Sequence, residues 1–314
     1  MKTFARIAAV AASICVTFGG TAQAQTLPTV RVIALPIDSG AQPFIAEAMG
    51  FFKKAGINVE IVASENNGSA VAAAVASKTA DIGQSNVISI AAARERGLPF
   101  VLVAGSKLFV SSLHQNALVV SAASPIKTAQ DLSGKTVAVN GLRNISEIGV
   151  DAWLAENGTS PATVKMVEMP FSSMGAAVAS GRIDAALITQ PDLEGALAQK
   201  TVRVLSYPYE SIGKEFLVGC WFSTSTWASE HPDLARAFAS AMQQTAVWAN
   251  NHRSETAKLV ETMTKTSVQT SALPRYSLQL DTREVQPLID AAAKYGALKS
   301  AIPAGQLTAG AAPK

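Results

Sequence analysis

The chain repeats itself. Ala73-Ala74-Val75-Ala76-Ser77 is followed, after three intervening residues, by Asp81, and Ala176-Ala177-Val178-Ala179-Ser180 is followed in the same way by Asp184. The likeness extends upstream. Thr29-Val30-Arg31-Val32 leads through a Gly-bearing loop to a helical pattern ending near Gly56, and Thr136-Val137-Ala138-Val139 leads to one ending near Gly158. Each copy then enters a short apolar run, Ile57 to Val62 and Val164 to Val167. Alanine is abundant, so five shared residues carry little weight alone. The shared order of elements carries more: two β-α-β-α-β units predict two lobes and a cleft between them.

The first residues read as an export signal. Lys2 and Arg6 form a basic start, Ile7 to Phe18 an apolar stretch, and Ala22-Gln23-Ala24 a small-residue cleavage site before Gln25. Residues 1–24 are thus expected to be removed, with cleavage after Ala24 and a periplasmic product. Without them a single cysteine, Cys220, remains, so no intrachain disulfide is possible. Setting aside Lys2 and Arg6 leaves 24 basic against 23 acidic residues, a balance that argues against a nucleic-acid footprint. No later stretch approaches the roughly 18 apolar residues of a transmembrane helix.

Strand and helix patterns alternate, as in a mostly parallel sheet covered by helices. Strands are expected at Val30–Leu35, Val59–Ala63, from Asp81, at Phe100–Ala104 and at Ala117–Ser121. Helices are expected at Pro43–Ala55, Ser69–Ser77 and Ile88–Glu95. Phe216 to Phe222 reads as one apolar strand that returns the chain to the first lobe. Pro232 to Val260 reads as a long helix, and Glu284 to Tyr295 as another. The fold class is α/β with two lobes: lobe I from 25–116 plus 217–314, and lobe II from 117–216.

Catalytic motifs are absent. There is no G-x-S-x-G, no phosphate-binding glycine loop, no G-x-G-x-x-G after a strand and no H-E-x-x-H. His114, His231 and His252 are far apart, and with one cysteine they make a zinc site improbable. Asp81 and Asp184 each open a strand, at the end of the sheet away from a ligand crevice, so structural roles are expected. No cofactor is expected.

In open α/β sheets ligands bind outside the carboxyl ends of the strands. The loops following those ends predict the pocket: Pro36 to Gln42, Asn66 to Ser69, Gln84-Ser85-Asn86, Asn140 to Asn144, Phe171-Ser172-Ser173 and Thr189-Gln190-Pro191. Ser39 with Gln42, and Asn144 with Glu147, have capping-box spacing. Several helix starts converging on a cleft would favour an anion. The candidate ligand contacts are Asp38, Ser39, Gln42, Asn67, Ser69, Ser85, Asn86, Arg143, Asn144, Ser173, Gln190 and Trp221. Arg143 is read as a bidentate partner for a carboxylate or sulfonate, and Trp221 as a stacking surface. For each, an ordinary cap, surface or core role is the competing reading.

Val30-Arg31-Val32, the phrase Gly50 to Val59 (GFFKKAGINV), Asp131-Leu132-Ser133-Gly134-Lys135-Thr136-Val137, Gly181 to Ala186 (GRIDAA), and Ile289-Asp290 with Lys294-Tyr295-Gly296 together resemble one family. It is the family of solute-binding proteins of ABC importers for sulfonates, taurine, nitrate and thiamine-pyrimidine precursors. The resemblance covers nearly all of the chain after residue 24. It implies a two-lobed periplasmic-binding-protein fold of type II, hinge closure on a small solute, and delivery to an inner-membrane permease with a cytoplasmic ATPase. It also implies a monomer and no enzyme activity. The family's pyrimidine-synthase branch uses a Cys-rich motif and histidine chemistry, and this sequence has neither. A small anionic organic solute is the expected ligand. A neutral pyrimidine or flavin-like ligand, or an enzyme on the same fold, stands as the alternative.

Overall fold

The computed structural model describes residues 26–64, 68–265, 267–270 and 273–308. The expected export signal therefore lies outside the described residues. β1 (Thr29–Ala34) leads through α1 (Gln42–Ala48) and α2 (Phe51–Lys54) to β2 (Asn58–Ala63), then α3 (Gly68–Ala76), β3 (Ile82–Asn86), α4 (Val87–Glu95), β4 (Phe100–Gly105) and β5 (Lys107–Val110). The second series is β6 (Asn116–Ser121), β7 (Thr136–Val139), α5 (Ile145–Glu156), β8 (Lys165–Glu168), α6 (Phe171–Ala179), β9 (Ala185–Thr189), α7 (Asp192–Ala198) and β10 (Val202–Ser206). The chain then returns through β11 (Glu215–Leu217) and β12 (Gly219–Thr224). It ends with α8 (Ser225–Glu230), α9 (Pro232–Asn251), α10 (Arg253–Thr264), β13 (Arg275–Tyr276), α11 (Thr282–Lys294) and α12 (Gly305–Thr308).

Two five-stranded sheets result, ordered β2-β1-β3-β12-β4 and β10-β6-β9-β7-β8, with a small sheet β11-β5-β13 beside them. The repeat in the sequence is a repeat in the structure. β1 pairs in parallel with β2 and β3, and β7 pairs in parallel with β8 and β9. The two matching aspartates do the same work: Asp81 accepts the Arg31 N–H at 2.8 Å, and Asp184 accepts the Thr136 N–H at 2.9 Å. Each thereby ties the approach to the third strand onto the first strand of its unit. Gly56 and Gly158, also matched, turn at φ +79° and +74°, where a side chain would be strained.

Each large sheet is mixed, with two parallel and two antiparallel pairings. The antiparallel members arise at the crossings. β6 and β10 pair antiparallel in the second sheet, and β12 runs antiparallel between β3 and β4 in the first. The stretch Phe216–Phe222 is not one strand. It divides at Val218, with β11 pairing β5 in the small sheet and β12 entering the first sheet. The long helical pattern divides as well, at His252, whose φ of −120° and ψ of 58° leave the helical region. Gly50, at φ +70°, similarly separates α1 from α2.

The first sheet is covered by α9, whose Ala235, Phe238, Met242, Ala246 and Ala249 recur at helical spacing and are buried. Phe238 stacks on Phe52 and meets Trp221 edge to face at 5.7 Å. The second sheet has its own apolar cluster around Met174, Val178, Ile188 and Leu193. A further apolar cluster runs through both halves, joining α4 and α11 to α5 and β7. Among the described residues no helix is long and apolar enough to cross a membrane.

Candidate ligand-binding site

The carboxyl ends of the parallel strands of both sheets face one small cavity of about 50 Å³. From the first half come Leu35, Ile37, Asp38 and Ser39 after β1, and Gln84, Ser85 and Asn86 at the end of β3. From the second come Asn140 after β7, Ile145 and Ser146 in the first turn of α5, Phe171 at the start of α6, and Thr189 at the end of β9. Lys107, Tyr209, Val218 and Gly219 close it near the crossings.

Electrostatically the cavity is built on one ion pair. The Lys107 ammonium lies 2.6 Å from Asp38 Oδ2, with the two side chains 3 % and 1 % exposed. Lys107 also donates to Thr189 Oγ1 at 3.2 Å, which joins the two halves. Asp38 Oδ1 accepts the Ser39 N–H, and the Asp38 carbonyl accepts the Tyr276 hydroxyl. Burial pushes the Asp38 carboxyl above its ordinary value, against the opposing pull of Lys107 and the Ser39 N–H.

Uncharged polar groups surround the pair. Gln84 Nε2 donates to Ser39 Oγ at 3.1 Å, and the Ser146 hydroxyl donates to Asn140 Oδ1 at 2.7 Å. Two buried atoms of the cavity lining have no protein partner: Gln84 Oε1 and the Ser85 hydroxyl. Buried polar atoms are seldom left this way. Both belong to the cavity lining, where a polar solute would satisfy them. The Tyr209 ring is wedged among Phe109, Phe216 and Gly149, its hydroxyl 3.5 Å from Ser146 Oγ, and burial pushes that hydroxyl above its ordinary range.

Of the residues expected from the sequence, Asp38, Ser39, Ser85 and Asn86 come together here, and Asn86 also caps α4 through the Ser89 N–H. Others lie elsewhere. Gln42 and Trp221 are buried against each other, the indole N–H donating to Gln42 Oε1 at 2.8 Å, so the Trp221 ring belongs to the core. Ser39 and Gln42 form no capping box, because α1 starts at Gln42 itself with Pro43 next. Asn144 caps α5, accepting from the Ser146 and Glu147 N–H groups. Gln190 accepts the Glu194 N–H in the first turn of α7. Ser173 is exposed on α6, and Phe171 lines the cavity in its stead. Arg143 points away and donates to the Gly296 carbonyl at 2.6 Å. Asn67 and the Ser69 side chain lie outside the described residues.

The sequence reading missed Lys107, Ser146 and Tyr209, and it placed Gln84 in a pocket loop without counting it among the candidate contacts. A signal existed for Lys107, a lone charge in the mostly apolar run from Phe100 to Val110.

A family model described as NMT1/THI5 like matches residues 40–256, more than half of the chain. The chain belongs to the NMT1/THI5-like family. Solved structures agree on the fold. The alkanesulfonate-binding protein SsuA from Xanthomonas axonopodis pv. citri, bound to MOPS, is 17 % identical with a TM-score of 0.73, over 90 % of this chain and 99 % of that one. The periplasmic nitrate-binding protein NrtA from Synechocystis PCC 6803 is 13 % identical with a TM-score of 0.71, over 90 % and 85 %. The desulfurization enzyme DSZB is 15 % identical with a TM-score of 0.66, over 90 % and 96 %. No curated protein sequence matches the chain. This NMT1/THI5-like protein thus has the two-lobed periplasmic-binding-protein fold, with the cavity between its lobes.

Proposed function

We propose that this protein is the solute-binding component of an ABC import system, exported to the periplasm, and that it closes its lobes on a small organic solute with an oxyanion head. The lobes are 25–116 with 217–314, and 117–216, joined at the crossings. The observation that carries this reading is the cavity between the sheet ends, with two unpartnered polar atoms and one ammonium group in its lining. Ligand clefts usually enclose roughly 300–1,000 Å³. A cavity of about 50 Å³ therefore requires the lobes to part before an organic molecule can enter. The binding-protein neighbours, one for alkanesulfonates and one for nitrate, support an anion. Lys107 replaces Arg143 as the cation that would meet it.

The cavity lining contains no histidine or cysteine, and Cys220 is buried with its thiol pushed up by burial. The lining hydroxyls have no imidazole beside them, and the amine that meets Thr189, that of Lys107, is held in its ion pair with Asp38, so we favour binding over catalysis despite the likeness to DSZB. One observation favours a neutral ligand as the second reading: Asp38 already balances the charge of Lys107, and Phe171 adds an aromatic ring to the cavity lining.

Thermal unfolding of residues 25–314, refolded free of carried-over ligand, tests this against alkane- and arylsulfonates, taurine, carboxylates, nitrate and pyrimidines. A ligand at 100 times its dissociation constant adds about 2.7 kcal/mol. A shift with a sulfonate or carboxylate supports the anion reading. Shifts only with pyrimidines replace it with the neutral one, and no shift with any of them rejects both ligand classes.

A further inference from the structure

Arg143 is exposed, yet its side chain is not free. It projects from the loop between β7 and α5, in the second half of the molecule, and its Nη2 lies 2.6 Å from the Gly296 carbonyl and 3.4 Å from that of Ala297. Those carbonyls follow α11, which packs mainly on α4 and on β11, beside the first sheet, and also reaches α5. The contact therefore crosses from one half to the other. Its chemistry suits both ends. Gly296 and Ala297 lie just past the C-cap Tyr295, near the negative end of the α11 dipole, where a guanidinium is favoured. Gly296, at φ +78°, turns the chain out of the helix in the left-handed form.

The loop is built to aim this side chain. Arg143 itself sits at φ +55°, a conformation residues with a Cβ seldom adopt. Its own N–H donates to the Glu147 carboxylate, and the preceding Leu142 N–H donates to Glu168 Oε1 at 2.7 Å. Two carboxylates thus hold an unfavourable backbone so that the guanidinium reaches across. Other polar contacts bridge the halves elsewhere, from Lys107 to Thr189 and from the Gln269 N–H to Glu194 Oε2 at 2.9 Å.

We propose that Arg143 is a positioning residue for lobe closure: it staples the loop before α5 to the end of α11 and biases the lobes toward the closed arrangement without touching solute. This rests on the hinge-closing, solute-binding reading above. It differs from a ligand contact in one respect: the bias exists in the protein alone, whatever the solute.

The test uses two spin labels, on Lys53→Cys in α2 and Lys165→Cys in β8, both exposed and one in each half. The native Cys220 is buried and should not be labelled. Pulsed electron–electron distance measurement without solute should show a short-distance population. Arg143→Ala should shrink that population about 3- to 10-fold, the scale of one ordinary intramolecular hydrogen bond, as suits an exposed side chain, while Arg143→Lys keeps part of it. The circular-dichroism melting point should stay close to that of the parent, which separates closure from folding. Identical distributions with and without Arg143, or no short population in the parent, overturn the proposal. Because no solute is used, this outcome is independent of whether any compound in the unfolding assay shifts the melting point.

Discussion

Lys107 and Asp38, 69 residues apart in sequence, meet at 2.6 Å in a setting nearly sealed from water. Neither charge would be stable there alone, because desolvating an unpaired ion costs several kcal/mol. The pair therefore stands or falls together.

Removing one member should expose that dependence. Lys107→Met leaves the Asp38 carboxylate buried and unpaired, and should lower stability by about 3–5 kcal/mol in urea unfolding at neutral pH. Burial already pushes the Asp38 carboxyl up, so the loss should shrink in acid, where that carboxyl is neutral. The double variant Asp38→Asn with Lys107→Met should recover most of the loss. A double variant as unstable as Lys107→Met would show that the pair is not the cause.

Ser85 should give opposite answers for stability and binding. Its buried hydroxyl has no partner in the protein. Ser85→Ala should therefore raise the melting point of the ligand-free protein slightly, by the equivalent of about 1 kcal/mol. The same variant should reduce the shift produced by a binding solute. An unchanged ligand-induced shift would remove Ser85 from the set of contacts.

Gly149 tests how tightly the cavity wall is supported. A Cβ there would lie 2.5 and 2.6 Å from ring atoms of Tyr209, which is held in turn by Phe109 and Phe216. Gly149→Ala should cost about 1–3 kcal/mol through overpacking and weaken solute binding by displacing the ring. Calorimetric unfolding and titration on the same sample check both.

Asp151 should make stability depend on pH. Burial, with Glu147 one turn earlier on α5, lifts its carboxyl from 3.8 to about 7. In the unfolded chain the group ionises at its ordinary value. Between about pH 4 and 7 the folded protein thus holds a proton that the unfolded chain has lost, and stability falls as pH rises through that window. The side chain is only half-buried, so the loss should be about 1–2 kcal/mol, well short of the full electrostatic equivalent. Asp151→Asn should raise the melting point at pH 8, leave it unchanged near pH 4, and flatten the profile between.

The two-unit architecture was readable because it rests on local signals. The matched Thr-Val openings, the glycines at 56 and 158, and Asp81 and Asp184 each act within a few residues or on the neighbouring strand. The loops at the strand ends were equally accessible, since topology alone sends them to one crevice. Individual side chains were harder. Arg143 and Trp221 have the chemistry of ligand contacts, but the end of α11 claims one and Gln42 with Phe238 claims the other. Those partners lie more than 100 residues from Arg143 and Trp221 respectively, or on helices whose placement the sequence does not state. Lys107 escaped notice for the converse reason. Its partner Asp38 was in view, but a lone lysine in a mostly apolar run acquires meaning only when β5 is set beside the first loop.

The position of β12 also fixes an order of assembly. The second sheet is drawn from a contiguous stretch, Asn116 to Ser206, whereas the first sheet holds β12 between β3 and β4. The earlier-made half of the chain therefore cannot complete its sheet until residue 224 is available, while the later-made half can close on its own. Pairing across so long a separation is slow to find. The N-terminal lobe should thus be the last to become native, and its sheet stays unfinished until residue 224 has been made.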